Sequence, residues 1–164
     1  MRRSTAAAGS AAFFLAAPCV VAGLAPWLIT GWRTAAHWWP PVRALGVLLI
    51  LVGTAVVVNA FARFVTEGAG TPMPAAPPQH LVVGGLYRYV RNPMYVAILS
   101  AILGQALLFG SLPLLAYTAC VFLAFVTFVH FYEEPHLRRQ FGPDYDAYRR
   151  EVPGWLPRLR PRSR

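Results

Sequence analysis

Phe109-Gly110-Ser111-Leu112-Pro113 decides how this chain folds. It breaks an apolar stretch that otherwise runs from Pro93 to Tyr132. Three residues, Gly110-Ser111-Leu112, leave room for nothing but a tight helical hairpin. The flanking runs must then be antiparallel neighbours, with the start of the first and the end of the second at one membrane face. Arg91-Asn92-Pro93-Met94-Tyr95 and Glu133-Glu134 should therefore meet, although about 40 residues separate them.

The composition agrees with a chain built for lipid. Of 164 residues 57% are apolar and 13% charged, and mean hydropathy is +0.47. A soluble domain carries about 25% charged residues. The length fits one domain. The net charge of +9 comes from arginine alone. These arginines gather at the ends of apolar runs, where they face anionic headgroups, so nucleic acid is not an expected partner. Cys19 and Cys120 lie inside apolar runs and read as buried free thiols, without disulfide or metal spacing. Met1-Arg2-Arg3 before an Ala-rich run resembles a signal peptide, but the run continues past Pro26 to Gly31 and reads as a retained helix.

Four runs are each expected to cross a bilayer, which takes about 20 residues: about Ala11 to Thr30, Ala44 to Phe64, Pro93 to Phe109 and Pro113 to Tyr132. Pro18 and Pro26 interrupt the first, which is tolerated where neighbours satisfy the freed carbonyls. Thirteen arginines fall on the side holding both termini and the loop after the second run; Arg33 and Arg43 fall on the other. The termini and the Arg91 and Glu133 ends are thus assigned to the cytoplasm. Residues 66–78 read as a Gly/Pro/Ala-rich linker between an N-terminal hairpin, 1–65, and a core unit, 79–164. His37-Trp38-Trp39 reads as an interfacial aromatic belt. Leu137, Phe141, Tyr145 and Tyr148 mark an amphipathic helix, broken near Gly142-Pro143, expected at the membrane surface. Val152 to Arg158 reads as an extended tail anchored by Trp155. The expected class is an all-α, polytopic membrane bundle with a C-terminal interfacial helix.

Glu133 and Glu134 stand at the expected end of the fourth helix, where the dipole is already negative, so they need a cationic partner: Arg88, Arg91 or a ligand. Asn92 can cap the third helix and Pro93 preorganises its first turn; such a helix start also suits an anionic group. Tyr87, Tyr89 and Tyr95 either stack on a ligand or sit in the interface. His130, four residues before Glu134, is placed on the same helix face as a proton acceptor or substrate contact. No phosphate loop, nucleophile elbow or His/Cys cluster is present, which disfavours nucleotide hydrolysis, acyl-enzyme and zinc chemistry.

Gly-Leu-Tyr-Arg-Tyr-Val-Arg-Asn-Pro-Met-Tyr (85–95), Glu-Glu-Pro-His-Leu (133–137), Phe-Gly-Pro-Asp-Tyr-Asp-Ala-Tyr (141–148) and Val-Pro-Gly-Trp-Leu-Pro-Arg (152–158) resemble the isoprenylcysteine carboxyl methyltransferases. The related phospholipid methyltransferases share much of this pattern, and the resemblance covers roughly 79–158. It implies an integral membrane enzyme using S-adenosylmethionine, with a lipophilic acceptor arriving from the bilayer. By position, Gln79, His80, Leu81, Val82, Tyr87, Asn92, Pro93, Met94 and Tyr95 would line the cofactor site. Glu133 would hold its polar groups, Glu134 would support Glu133, and Arg91 or Arg88 would face its carboxylate. Asn92 stands where the family more often has His. Phe128-Val129-His130-Phe131 lacks the Arg that would hold a prenylcysteine carboxylate, leaving His130 as the nearby polar substitute. Methyl transfer is an in-line displacement, so the protein chiefly aligns donor and acceptor in a dry site. Glu133, Glu134 and His130 are the candidate catalytic groups for an acceptor that needs a base. A rival reading is an NADPH-dependent membrane reductase related to the sterol reductases, and a third is a non-catalytic membrane protein of this fold.

Overall fold

The computed structural model describes residues 16–34, 39–67 and 80–160, with the backbone alone over 61–67. Helices α1 (Ala16–Thr30), α2 (Pro40–Glu67), α3 (Pro93–Phe109), α4 (Leu112–Phe141) and α5 (Pro143–Glu151) make up nearly all of it, with a short 3-10 turn at Gly85–Arg88. No strand occurs among the described residues. The all-helical expectation holds. The span expectation holds in part: α4 and, in α2, Pro40–Ala60 are long and apolar enough to cross a membrane, while the described parts of α1 and α3 are shorter.

The hairpin forms as its three residues require. Gly110 takes a left-handed conformation (φ 65°) that closes α3, and the Ser111 hydroxyl accepts from the Leu114 amide to cap α4. Ile98, Ile102, Ala106, Leu114 and Val121 form the core between α3 and α4, with Val21 and Ala22 of α1 and Val57 of α2 packed on it.

Against the other side of α3, α2 lies almost backbone to backbone. A Cβ on Gly104 would come within 2.6 Å of the Gly46 carbonyl oxygen, and one on Gly46 within 2.6 Å of the Gly104 oxygen. A Cβ on Gly53 would fall 2.7 Å from the Ala97 oxygen. The small residues along α2 and α3 thus seat one helix on the other within one chain.

Prolines shape α1 and α4 in the same way. In each a π turn ends two residues before a proline: Val20–Leu24 before Pro26, and Val129–Glu133 before Pro135. Proline has no amide to donate and its ring crowds the carbonyl four residues earlier, and the wider turn relieves that crowding. The Val21 and Ala22 carbonyls lose their helical partners in this way. Tyr117 Oη donates to Val21 O (2.9 Å) and Gln105 Nε2 to Ala22 O (2.6 Å). Two polar side chains inside an apolar bundle therefore have a structural assignment.

The structure alters several expectations. The fourth helix does not stop at Tyr132; the π turn carries it through Pro135 to Phe141. Cys19 and Cys120 are free but exposed, because they point out of the bundle and not into it. The apolar face of the C-terminal helix is covered by the chain itself: Tyr145, Tyr148 and Val152 form a second small core with Leu81, Val83, Leu137 and Phe141. The break falls at Gly142, at φ +53°. Trp39 is exposed, while His37 and Trp38 lie outside the described residues, as does nearly all of the linker.

A large apolar surface remains uncovered. On α2, Leu45, Leu48, Leu51, Val52 and Val58 are exposed, and on α4 Leu112, Phe122, Leu123 and Phe131. A patch of this extent is not stable in water and marks a lipid- or partner-facing surface.

Candidate functional site

The 3-10 turn and the residues after it lead the chain onto α3. Tyr87 is buried; its hydroxyl donates to Met94 Sδ (3.3 Å) and its carbonyl accepts from Tyr148 Oη (2.7 Å). Tyr87 is thus a buried strut that ties the turn to α3 and to the C-terminal helix. The loop then receives the C-terminal segment. The Arg91 amide donates to Pro153 O (2.9 Å), the Asn92 amide to Gly154 O (3.2 Å) and the Arg158 amide to Tyr89 O (3.0 Å). Residues expected to trail as an anchored tail are stitched alongside 89–92.

Two polar links join the start of α3 to the π turn of α4. Arg91 Nη1 donates to Glu134 Oε1 (2.7 Å), and Tyr95 Oη donates to Glu133 Oε2 (2.8 Å). The side chains of Arg91 and Glu134 are only 12% and 13% exposed, so the ion pair is shielded from water on most sides. Arg91 is heavily engaged: Nε donates to Val152 O (2.9 Å) and Nη1 also to Tyr145 Oη (3.1 Å). Glu134 takes a second cation, Arg149 Nη2, at 3.3 Å. Burial raises the Tyr145 phenol above its ordinary value, although the Arg91 cation opposes the shift. The glutamates find the cationic partner that two adjacent carboxylates require. Their setting differs from the expected helix terminus, since they lie within a helix that continues to Phe141.

Asn92 departs from its expected role. It is the N-cap residue of α3, yet its side chain caps nothing. Its residue exposure is 9%, and Nδ2 is buried without a hydrogen-bond partner among the described residues. A buried amide donor left unpaired costs about 1–3 kcal/mol. Gly154 borders this group: a Cβ there would stand 3.6 Å from Asn92 Nδ2 and 3.2 Å from Arg91 Nη2. An aromatic cluster lies alongside. The Tyr95 ring packs on Phe125 (centroids 4.8 Å) and Trp155 (6.4 Å), and Trp155 meets Phe122 edge-on at 5.5 Å.

The other expected residues divide. Val82, Pro93 and Met94 are buried beside this cluster in sequence, Leu81 packs on the second core, and His80 is exposed. Gln79 lies outside the described residues. His130 is exposed, its ring edge-on to Phe131 at 4.9 Å, and it makes no hydrogen bond or ion pair with Glu134 among the described residues. The cluster gains Tyr145, Arg149, Gly154 and Trp155, none of which was expected in the site, although Tyr145, Gly154 and Trp155 lie in the 141–148 and 152–158 motifs. The run Val152-Pro-Gly-Trp held a signal, since glycine after proline before a lone Trp suits close backbone approach.

The family model described as phospholipid methyltransferase matches residues 42–144, and the chain belongs to that family. It is also similar to the protein-S-isoprenylcysteine O-methyltransferase of Schizosaccharomyces pombe, at 35% identity over 77 residues, which is 47% of this chain and 33% of that protein. The matched part thus spans about a third of the relative's length. No solved structure matches significantly.

Proposed function

We propose that this chain is an S-adenosylmethionine-dependent methyltransferase acting on a lipophilic acceptor, with its cofactor site where α3 begins beside the α4 π turn. The observation that carries the reading is the Asn92 amide: a buried donor with no partner among the described residues, bordered by Gly154 and one helical turn before Tyr95, which holds Glu133. Family membership and the relative's name support methyl transfer.

The residues present suit the group. S-adenosylmethionine carries a carboxylate, an ammonium, a sulfonium and ribose hydroxyls. Asn92 Nδ2 and the uncapped start of α3 favour its acceptor oxygens, and Glu133 its cationic or hydroxyl groups. Bound there, it would supply an electrophilic methyl group to the acceptor's lone pair, with a neutral thioether as the leaving group. Tyr95 fixes the orientation of the Glu133 carboxylate by donating to Oε2. Arg91 and Glu134 hold α3, α4 and the C-terminal segment in register, so their work is positioning. An acceptor that must lose a proton would give it to Glu133 or, if it reaches the exposed face, to His130. In this reading the four apolar helices all cross the bilayer, and the site and both termini face the cytoplasm, in keeping with the arginine bias.

Calorimetry on the full chain in detergent tests the proposal. S-adenosylmethionine should bind, binding should be lost in Glu133→Gln, and Asn92→Leu should weaken it about tenfold or more. Without cofactor, Asn92→Leu should be no less stable than the wild type, because it removes an unpaired buried donor. Undiminished binding in Glu133→Gln, or binding of a nicotinamide dinucleotide instead, overturns the assignment. A reporter fused to the C-terminus tests the topology, and an extracytoplasmic signal would reverse it.

A further inference from the structure

Residues 152–158 form a strap across the loop before α3. The strap accepts from Arg91 at Val152 O and Pro153 O and from the Asn92 amide at Gly154 O, and its Arg158 amide donates to Tyr89 O. Between these attachments it bends over residues 154–156. The bend carries Trp155 onto the flank of α4, where its ring meets Phe122 edge-on at 5.5 Å. Phe122 shows how deep that is. It stands about 16 Å back along α4 from Glu133, at about 1.5 Å per residue. The flank there is apolar and faces outward, with Phe122 42% and Leu123 63% exposed. The strap thus leaves the polar level of Arg91 and Glu134, touches the apolar surface of a helix long enough to span a membrane, and returns to the polar level at Arg158.

The side chains that follow Trp155 are bare. Leu156 is 79% exposed and Leu159 99%, and neither joins one of the two cores. In water each would forgo nearly all of its burial energy, about 25 cal/mol per Å² of apolar surface. Arginines flank Leu159: Arg160 is exposed, and the Arg158 guanidinium donates to Glu151 O. Leucines beside an outward-facing apolar helix, with arginines at the polar edge, fit acyl chains below and lipid phosphates above. Irregular backbone at such a depth needs its polar groups paired, and residues 89–92 pair those of the strap.

We propose that residues 155–160 are a re-entrant membrane anchor. Leu156 and Leu159 lie among the acyl chains of the leaflet on the site's side, and Arg160 meets the phosphates. Because the same strap is stitched to Arg91 and Asn92, the bilayer itself holds one wall of the candidate site in place. The anchoring is independent of the methyl-transfer reading and stands whether or not a cofactor binds.

The experiment uses the full chain with Cys19→Ala and Cys120→Ala, reconstituted in nanodiscs of phosphatidylcholine and phosphatidylglycerol. Single cysteines at Leu156→Cys, Leu159→Cys and, as the exposed control on α5, Asp144→Cys carry a fluorescent label. Nitroxide on the lipid acyl chains should quench the label at 156 and 159 about twofold or more, and aqueous iodide should quench it at 144. Iodide quenching at 156 and 159 as strong as at 144 overturns the anchor, because the strap then faces water. Quenching by neither agent overturns it too, because protein, such as a second copy of the chain, then covers the leucines. Both variants should unfold in detergent like their parent, since side chains this exposed have few contacts to lose; a variant that fails to fold shows a packed leucine and counts against the anchor. Leu156→Ser combined with Leu159→Ser should open 152–160 to protease in nanodiscs where the parent resists, and equal resistance overturns the claim that the bilayer holds the strap.

Discussion

The seam between α2 and α3 and the clasp between α3 and α4 solve one problem by opposite means. At the seam, Gly46, Gly53 and Gly104 bring helices together by having no side chain, and the partner atoms that fix the spacing are backbone. At the clasp, Arg91, Glu134, Tyr145 and Arg149 span a gap with long polar side chains. Backbone cannot move aside, so the seam tolerates no added atom. A side-chain network can lose a member and redistribute. The seam suits a rigid support; the clasp borders the site proposed above for the cofactor.

Breaking the seam should therefore have the largest effect. Gly104→Val is expected to destabilise the protein by about 3 kcal/mol or more in reversible unfolding from detergent micelles. Gly23→Ala, with nothing within 4 Å of its added carbon, serves as the control and should stay within about 1 kcal/mol. Equal effects at the two glycines would remove the distinction.

Arg91→Ala comes next, at about 3 kcal/mol, because it leaves Glu134 shielded with one partner fewer and frees the strap from Val152 O. Limited proteolysis should then cut within 152–160, while α2 and α3 stay protected. Gln105→Leu and Tyr117→Phe each leave one α1 carbonyl unpaired and should cost about 1 kcal/mol apiece, adding in the double variant because the carbonyls are separate. A non-additive double variant would show that one side chain can serve both.

The clasp should also respond to alkali, and the seam should not. Tyr145 has its phenol raised from 10.0, chiefly by burial. Above that pH the unfolded chain gives up the proton while the folded one keeps it, so stability contributed below pH 10 is lost as pH rises. Unfolding measured from pH 8 to 11 should show this loss, reduced in Tyr145→Phe. The smallest effect belongs to Asp146→Asn. It opens the exposed Arg138–Asp146 pair (3.1 Å) and should change stability by less than about 0.5 kcal/mol.

How far the sequence could be read depended on the range of the forces involved. The Gly110-Ser111-Leu112 bend and the apolar runs on either side were legible because length and solvent preference are local properties. The bend alone put Arg91 and Glu133 at one end of the bundle. The proline effects were legible in part: Pro26 and Pro135 announce a disturbed helix, but whether a helix stops or widens into a π turn depends on what packs outside it. Before Pro26 that is Gln105 and Tyr117, which lie 83 and 96 residues from the Ala22 and Val21 carbonyls they bind.

Asn92 reads as a cap because capping is what Asn does before Pro at a helix start. Here its side chain caps nothing and borders Gly154, brought in by the folding back of the C-terminus. His130 and Glu134 share a spacing but not an environment, since one is exposed and the other is held by Arg91 and Arg149. By itself the sequence determined the all-helical build, the hairpin and the meeting of a cationic end with an anionic one, because these follow from hydrophobic burial and chain length. The tertiary structure alone decided which glutamate is spoken for, which amide is left unpaired and what lies over it. Those outcomes depend on contacts between residues far apart in the chain, whose partners are set by packing and not by the neighbouring sequence.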